Sequence, residues 1–163
     1  AKQALEAGVR TADCLAMIAD FRSRHPDIPV GVLTYANIVV ARGREDGPSE
    51  CGGLLATKDG VGAAVRRAKN KEASPYRFSI DPLETRKHEQ AIDDAGMELV
   101  GFYHSHTGSH AVPSPTDIRM MGPFFGPPFV HFVIGVADRE KPEVRVWHID
   151  GSERVERTFQ VVD

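Results

Sequence analysis

The stretch 81–117 narrows the fold most, because a helix, a strand and a second helix follow one another there almost without linker. "DPLETRKHEQAIDDAG" (81–96) carries its own boundaries. Asp81 reads as the N-cap, Pro82 takes the first helical position, Glu84 completes a capping box, and Gly96 closes the C-terminal end. After two further residues "LVGFYHSH" (99–106) alternates apolar and polar positions and predicts a strand. "SPTDIRMM" (114–121) then opens a short helix with Ser114 as its cap. Helices interleaved this closely with strands predict an α/β chain.

The remaining segments fit that class. "GPSECGGLLATKDG" is bounded by Gly-Pro and Asp-Gly and predicts a buried strand over 51–57; "VGAAVRRAKN" (61–70) reads as another. "GPFFGPPF" (122–129) is a loop rich in proline and glycine. It precedes strands at "VHFVIGV" (130–136) and "EVRVWHI" (143–149), with "RVERTFQVV" (154–162) as a last one. Upstream, Cys14, Leu15, Ile18 and Phe21 lie at helical spacing over 11–25, between Thr11 as cap and Pro26 as stop. A β-rich run follows over 28–34, and 35–44 reads equally as helix or strand.

At 163 residues the chain has room for one domain with a full core. A net charge of −3 gives no bulk attraction to nucleic acid or to an anionic membrane, so neither is expected as a partner. No apolar run approaches a membrane span, and the first residues lack a secretory pattern. Cys14 and Cys51 are too few for a disulfide framework, and a cytoplasmic setting is expected.

The chemistry concentrates in "FYHSHTGSHAVPSPTD" (102–117). On a strand, residues two apart share a face, so His104 and His106 can converge while Ser105 points away. Asp117 falls three positions after the Ser114 cap, and a turn would return it beside the imidazoles. Two histidines and a carboxylate leave a fourth position open, as in catalytic zinc sites. The spacing alone leaves other readings open. A His-x-His pair also occurs in strands without a metal, Asp117 also suits a capping box, and Ser114 is explained as a cap. Spacing does not locate a base.

His-Ser-His, seven residues, Ser, two residues, Asp resembles the JAMM signature of MPN-type zinc metalloproteases. That family also requires an upstream glutamate on an early strand, which Glu50 at the head of "ECGGLL" matches. The resemblance runs from about 28 to the C-terminus, includes "SPYRFSIDPLE", and is nearest to a short bacterial branch that trims ubiquitin-like sulfur-carrier proteins. It implies a mixed, curved β-sheet flanked by helices, with an extra N-terminal helix, divided as a 1–27 extension and a 28–163 metalloprotease domain. It further implies one Zn²⁺ per chain held by His104, His106 and Asp117. Glu50 would be the general base and Ser114 the oxyanion donor. The substrate would be a small ubiquitin-like sulfur carrier with a Gly-Gly tail, cut after the second glycine. Thr107 stands where many relatives have proline. Residues 1–43 instead resemble a fragment of the tryptophan synthase alpha subunit, a barrel piece that cannot close alone and whose expected role is packing.

Phe124, Phe125 and Phe129 are candidates for lining a groove for an extended tail, or for a contact within a homodimer; the plainer alternative is that they cap the core. Cys51 is expected to face away from Glu50 as a buried thiol, and His110 to be a solvated loop residue. "RRAKNK" (66–71) is a basic cluster suited to an acidic carrier or simply to solvent. Three alternatives compete with the carrier peptidase: an isopeptidase acting on protein conjugates, a metal-free scaffold, and a zinc deaminase. The last needs His-x-Glu and Pro-Cys-x-x-Cys, which are missing.

Overall fold

The computed structural model describes residues 49–58, 61–138 and 141–157. The expected helix over 11–25, the run over 28–34, the 35–44 segment, the division near residue 27 and the end of the last strand lie outside them.

The elements follow the sequence expectations closely. Strands β1 (Gly52–Lys58) and β2 (Val61–Ala68) precede helix α1 (Pro82–Asp94) and strand β3 (Glu98–His106). Helix α2 (Pro115–Met121) and strands β4 (Val130–Gly135), β5 (Glu143–Asp150) and β6 (Glu153–Arg157) complete the set. The sheet runs β2-β1-β3-β4-β5-β6. β3 and β4 pair in parallel and every other neighbouring pair is antiparallel, so the sheet is mixed, as the family resemblance implied. A parallel pair cannot be joined by a hairpin; the long 107–129 crossover, with α2 inside it, follows from that.

Helix α1 starts and stops where its chemistry dictates. Asp81 Oδ1 accepts from the Leu83 amide at 2.9 Å, Pro82 fills the first position, and Gly96 takes the left-handed conformation at φ 64°. The expected capping box differs in one partner: the Glu84 carboxylate accepts from the Lys69 amide at 3.0 Å, tying the helix start to the end of β2.

Alternation along β3 sorts the core into two faces. Phe102 joins Leu54, Ala56 and Ile92 under the helices, with Met121, Phe125 and Phe129 against them. Ile92 is wholly buried, worth about 2–3 kcal/mol of apolar burial. Tyr103 joins Cys51, Leu55, Ile134 and Val136 on the reverse face. His104 and His106 continue the Phe102 face towards the C-terminal end of β3, where the floor turns from apolar to polar. Gly52 pairs with His104, and a Cβ there would sit 2.4 Å from the Phe78 ring. Only glycine lets Phe78 lie over the strand and stack against the His104 imidazole, with centroids 6.4 Å apart and planes 6° from parallel.

Candidate metal centre and its cleft

Three side chains meet at the end of β3. His104 Nε2 and His106 Nε2 are 3.1 Å apart, and Asp117 Oδ2 lies 3.4 Å from the first and 3.2 Å from the second. Both histidines are buried. The ring of His106 is oriented from behind: its Nδ1 donates to the His110 carbonyl at 3.0 Å. That bond leaves His106 Nε2 with a lone pair, aimed at a carboxylate oxygen.

A lone pair facing an anion at 3.2 Å is unfavourable unless a proton or a cation lies between them. Zinc bonds of about 2.0–2.1 Å in a tetrahedron put ligand atoms about 3.3 Å apart, close to all three separations here. The donor set therefore fits one small divalent cation, and the backed imidazole is the usual supporting arrangement for such a ligand.

Asp117 does two jobs with one oxygen. Its Oδ2 accepts from the Ser114 amide at 2.6 Å, while its own amide donates to Ser114 Oγ at 3.2 Å, a complete capping box. The helix cap and the ligand role are thus the same geometry. Burial alone would raise the Asp117 carboxyl, but its close contacts with both imidazoles, which carry positive charge when protonated, outweigh it and hold the group far below the carboxylate range. For His106 burial opposes the charge, and the bond to Asp117 prevails, raising its pKa.

The loop that brings Asp117 back is fixed by side chains of β5 and β6 on the same face of the sheet as the ligands. Trp147 Nε1 donates to the Ala111 carbonyl at 3.0 Å, the Ala111 amide donates to Glu143 at 3.1 Å, and Arg154 donates to the Pro113 carbonyl.

Glu50 sits just before β1, buried, in the same cleft of about 190 Å³ as His106, Ser114 and Asp117. Burial pushes its carboxyl up to about 7; the attraction of His106 lowers it and the nearness of Asp117 raises it further. A carboxyl poised there can exchange a proton near neutral pH. Cys51 lies in the reverse-face cluster, as expected, and His110 is exposed.

The three phenylalanines lie elsewhere. Phe125 and Phe129 pack on Phe102, at 4.4 and 6.1 Å between centroids, and Phe124 is 75% exposed. None of them lines the cleft; two serve the core, the plainer of the readings. The cleft wall is instead Pro75, Tyr76, Arg77 and Phe78, with Gly108, Ser109 and Thr116 opposite. The sequence signal for this wall was "SPYRF", a segment with two aromatic rings and no helical or strand period.

That wall is held by Asn70. Its Nδ2 donates to the carbonyls of Glu50 at 3.0 Å and Arg77 at 2.8 Å, while its Oδ1 accepts from the amides of Glu72 at 3.1 Å and Ser79 at 3.3 Å. The Glu50 amide donates to the Ser74 carbonyl at 2.9 Å, and Thr107 Oγ1 donates to the Pro75 carbonyl at 2.7 Å.

A mixed sheet carrying a His-His-Asp donor set beside a buried glutamate defines a class of metal-site α/β proteins. The family described as prokaryotic homologs of the JAB domain matches residues 34–150, and this chain belongs to it. The CysO-cysteine peptidase of Mycobacterium tuberculosis is 33% identical over 130 residues, spanning 78% of this chain and 86% of that protein. The desampylase of Haloferax volcanii is 43% identical over 110 residues, or 66% and 72% of the two chains. A solution structure of a protein from Desulfitobacterium hafniense matches with a TM-score of 0.63 at 29% identity, covering 76% of this chain and 84% of that one.

The tryptophan synthase alpha chain family matches residues 1–62, further than the 1–43 expected and overlapping the JAB match. A tryptophan synthase alpha chain from Novosphingobium aromaticivorans is 44% identical over 112 residues, but this chain spans 36% of its length. Where the overlap is described, β1 and β2 pair antiparallel, as barrel strands do not.

Proposed function

We propose that this chain is a zinc-dependent peptidase. It hydrolyses the bond after the C-terminal Gly-Gly of a small ubiquitin-like sulfur-carrier protein in the cytoplasm and releases an amino acid or a short extension. One observation carries the reading: His104, His106 and Asp117 bring their donor atoms within 4.8 Å of one another, with Glu50 in the same cleft. The name of the mycobacterial relative, a CysO-cysteine peptidase, supports an amino acid as the released group. Among the described residues no helix is long and apolar enough to cross a membrane.

His104, His106 and Asp117 would hold the cation, which when bound supplies Lewis acidity to the carbonyl and acidifies water. Glu50 takes one proton from the attacking water and delivers it to the departing amine as the C–N bond breaks. The water oxygen ends in the new Gly carboxylate, and its second proton also passes to the amine, which leaves as an ammonium group. Ser114 Oγ accepts from the Asp117 amide, which leaves its O–H free to donate to the carbonyl oxygen as negative charge develops there. Phe78 and Tyr76 line the cleft, where a Gly-Gly tail fits because it has no side chains. A scaffold that merely binds partners is disfavoured by a complete donor set with its base.

The test is cleavage of a ubiquitin-like protein ending Gly-Gly-Cys, followed by intact mass. Zinc-loaded wild type should remove the last residue, and both a chelator and Glu50→Gln should stop it. An uncut substrate with stoichiometric zinc present would refute the reading.

A further inference from the structure

Arg77 differs from Arg119, Arg145 and Arg154, whose guanidinium groups all have partners. Arg145 pairs with Glu143 and Glu156, Arg154 donates to Pro113, and Arg119 reaches Thr116. The Arg77 guanidinium has no hydrogen bond or ion pair among the described residues, and its side chain is exposed. Yet it lines the cleft, and among the described residues it is the sole lysine or arginine that does, in a site that also holds Glu50 and Asp117.

Its position is not that of a drifting surface residue. The Arg77 carbonyl accepts from Asn70 Nδ2 at 2.8 Å, and the same amide group holds the Glu50 carbonyl at 3.0 Å. Two residues earlier, the Pro75 carbonyl is fastened to Thr107, directly after the ligand strand. Backbone bonds on both sides thus fix where the guanidinium is rooted relative to the base and the ligands.

We infer that Arg77 reads the free α-carboxylate of the residue being released, so that the cleft selects a single C-terminal amino acid over a side-chain-linked protein. This rests on the peptidase reading above and names the leaving group for it. The chemistry follows from reach. In a substrate cut one residue from its end, the terminal carboxylate lies within one residue length, about 3.5 Å, of the scissile nitrogen. A conjugate attached through a lysine side chain carries no carboxylate there. A guanidinium matches a carboxylate with two parallel N–H···O bonds, and it offsets the repulsion such an anion would meet from Glu50.

The experiment compares two forms of one zinc-loaded enzyme's substrate, a Gly-Gly-Cys-ended ubiquitin-like protein with a C-terminal acid or a C-terminal amide. Wild type should favour the acid by about ten-fold in kcat/KM. In Arg77→Ala that acid-to-amide ratio should collapse towards one, in Arg77→Glu it should invert, and Arg77→Lys should keep part of it. Equal rates for acid and amide in wild type overturn the inference while leaving the peptidase reading intact. So does an undiminished ratio in Arg77→Ala, or a rise in KM for both substrates alike, which would place Arg77 against the body of the carrier. Failure to cut either form takes both readings down.

Discussion

The two halves of the site are built in opposite ways. The ligand half, His104 to Asp117, is a continuous fourteen-residue piece of chain whose geometry comes from strand alternation and a helix cap. The base half joins Glu50 to residues 70–78, and it exists only because β1 pairs with β3 and Asn70 ties the loop to the base. Local rules aim the ligands of the first half, and Trp147, Glu143 and Arg154 brace the loop between them. The second depends on contacts between residues far apart in sequence, which suggests that the two can fail separately.

His106→Ala should have the largest effect, cutting bound zinc from about one per chain to near none and abolishing turnover, since two donors do not hold the ion. Elemental analysis beside an activity assay checks both. Glu50→Gln should keep the zinc and lose about 10²–10⁴-fold in kcat; loss of metal in this variant would mean that the halves are not separable. Asn70→Ala should lower kcat/KM by about ten-fold with zinc unchanged, because an amide holding three carbonyls is removed from the base half alone. If its zinc content falls instead, the contrast is wrong.

The smallest effect concerns pH. The Glu50 carboxyl is raised to about 7 in the folded chain, so the folded state binds an extra proton between about pH 4.5 and 7. Stability therefore falls as pH rises through that window, by up to about 3 kcal/mol, and stays lower above it. Chelated Glu50→Gln should melt several degrees above chelated wild type at pH 8, with the two converging near pH 4.5. Equal melting at pH 8 would show that burial does not strain this group. In activity the sign reverses: a base must be ionised, so the rate climbs with pH as the Glu50 carboxyl loses its proton.

The same contrast explains what could be read from the sequence. The α/β class and the described elements followed from caps, alternation and turn residues; alternation allowed His104, His106 and Asp117 to meet, and only the family resemblance joined them into one site. Glu50 was reached by family resemblance alone, because nothing in "SECGG" announces a proton carrier. Phe124, Phe125 and Phe129 left a groove and a core cap open, and two of them turn out to pack on the core, where Phe102 is the surface they cover. Asn70 was missed, since a loop asparagine has no period and its value lies in five partners that only folding supplies.

One small contact behind the site has a wider consequence. Ser105, on the reverse of the ligand strand, accepts from the Cys51 amide at 2.9 Å and returns a bond from its own amide to the Cys51 carbonyl at 2.8 Å. This double stitch joins the residue beside the base to the residue between the two ligands. Further along, the β1–β3 register shifts between Leu55 and Ala56, so slack in the pairing is taken up away from the stitch. A slip of one position at the stitched end would turn Glu50 to the other side of the sheet. Insertions or deletions downstream of the bulge are thereby decoupled from the aim of the acid, which leaves the β1–β2 hairpin free to vary in evolution without blunting the blade.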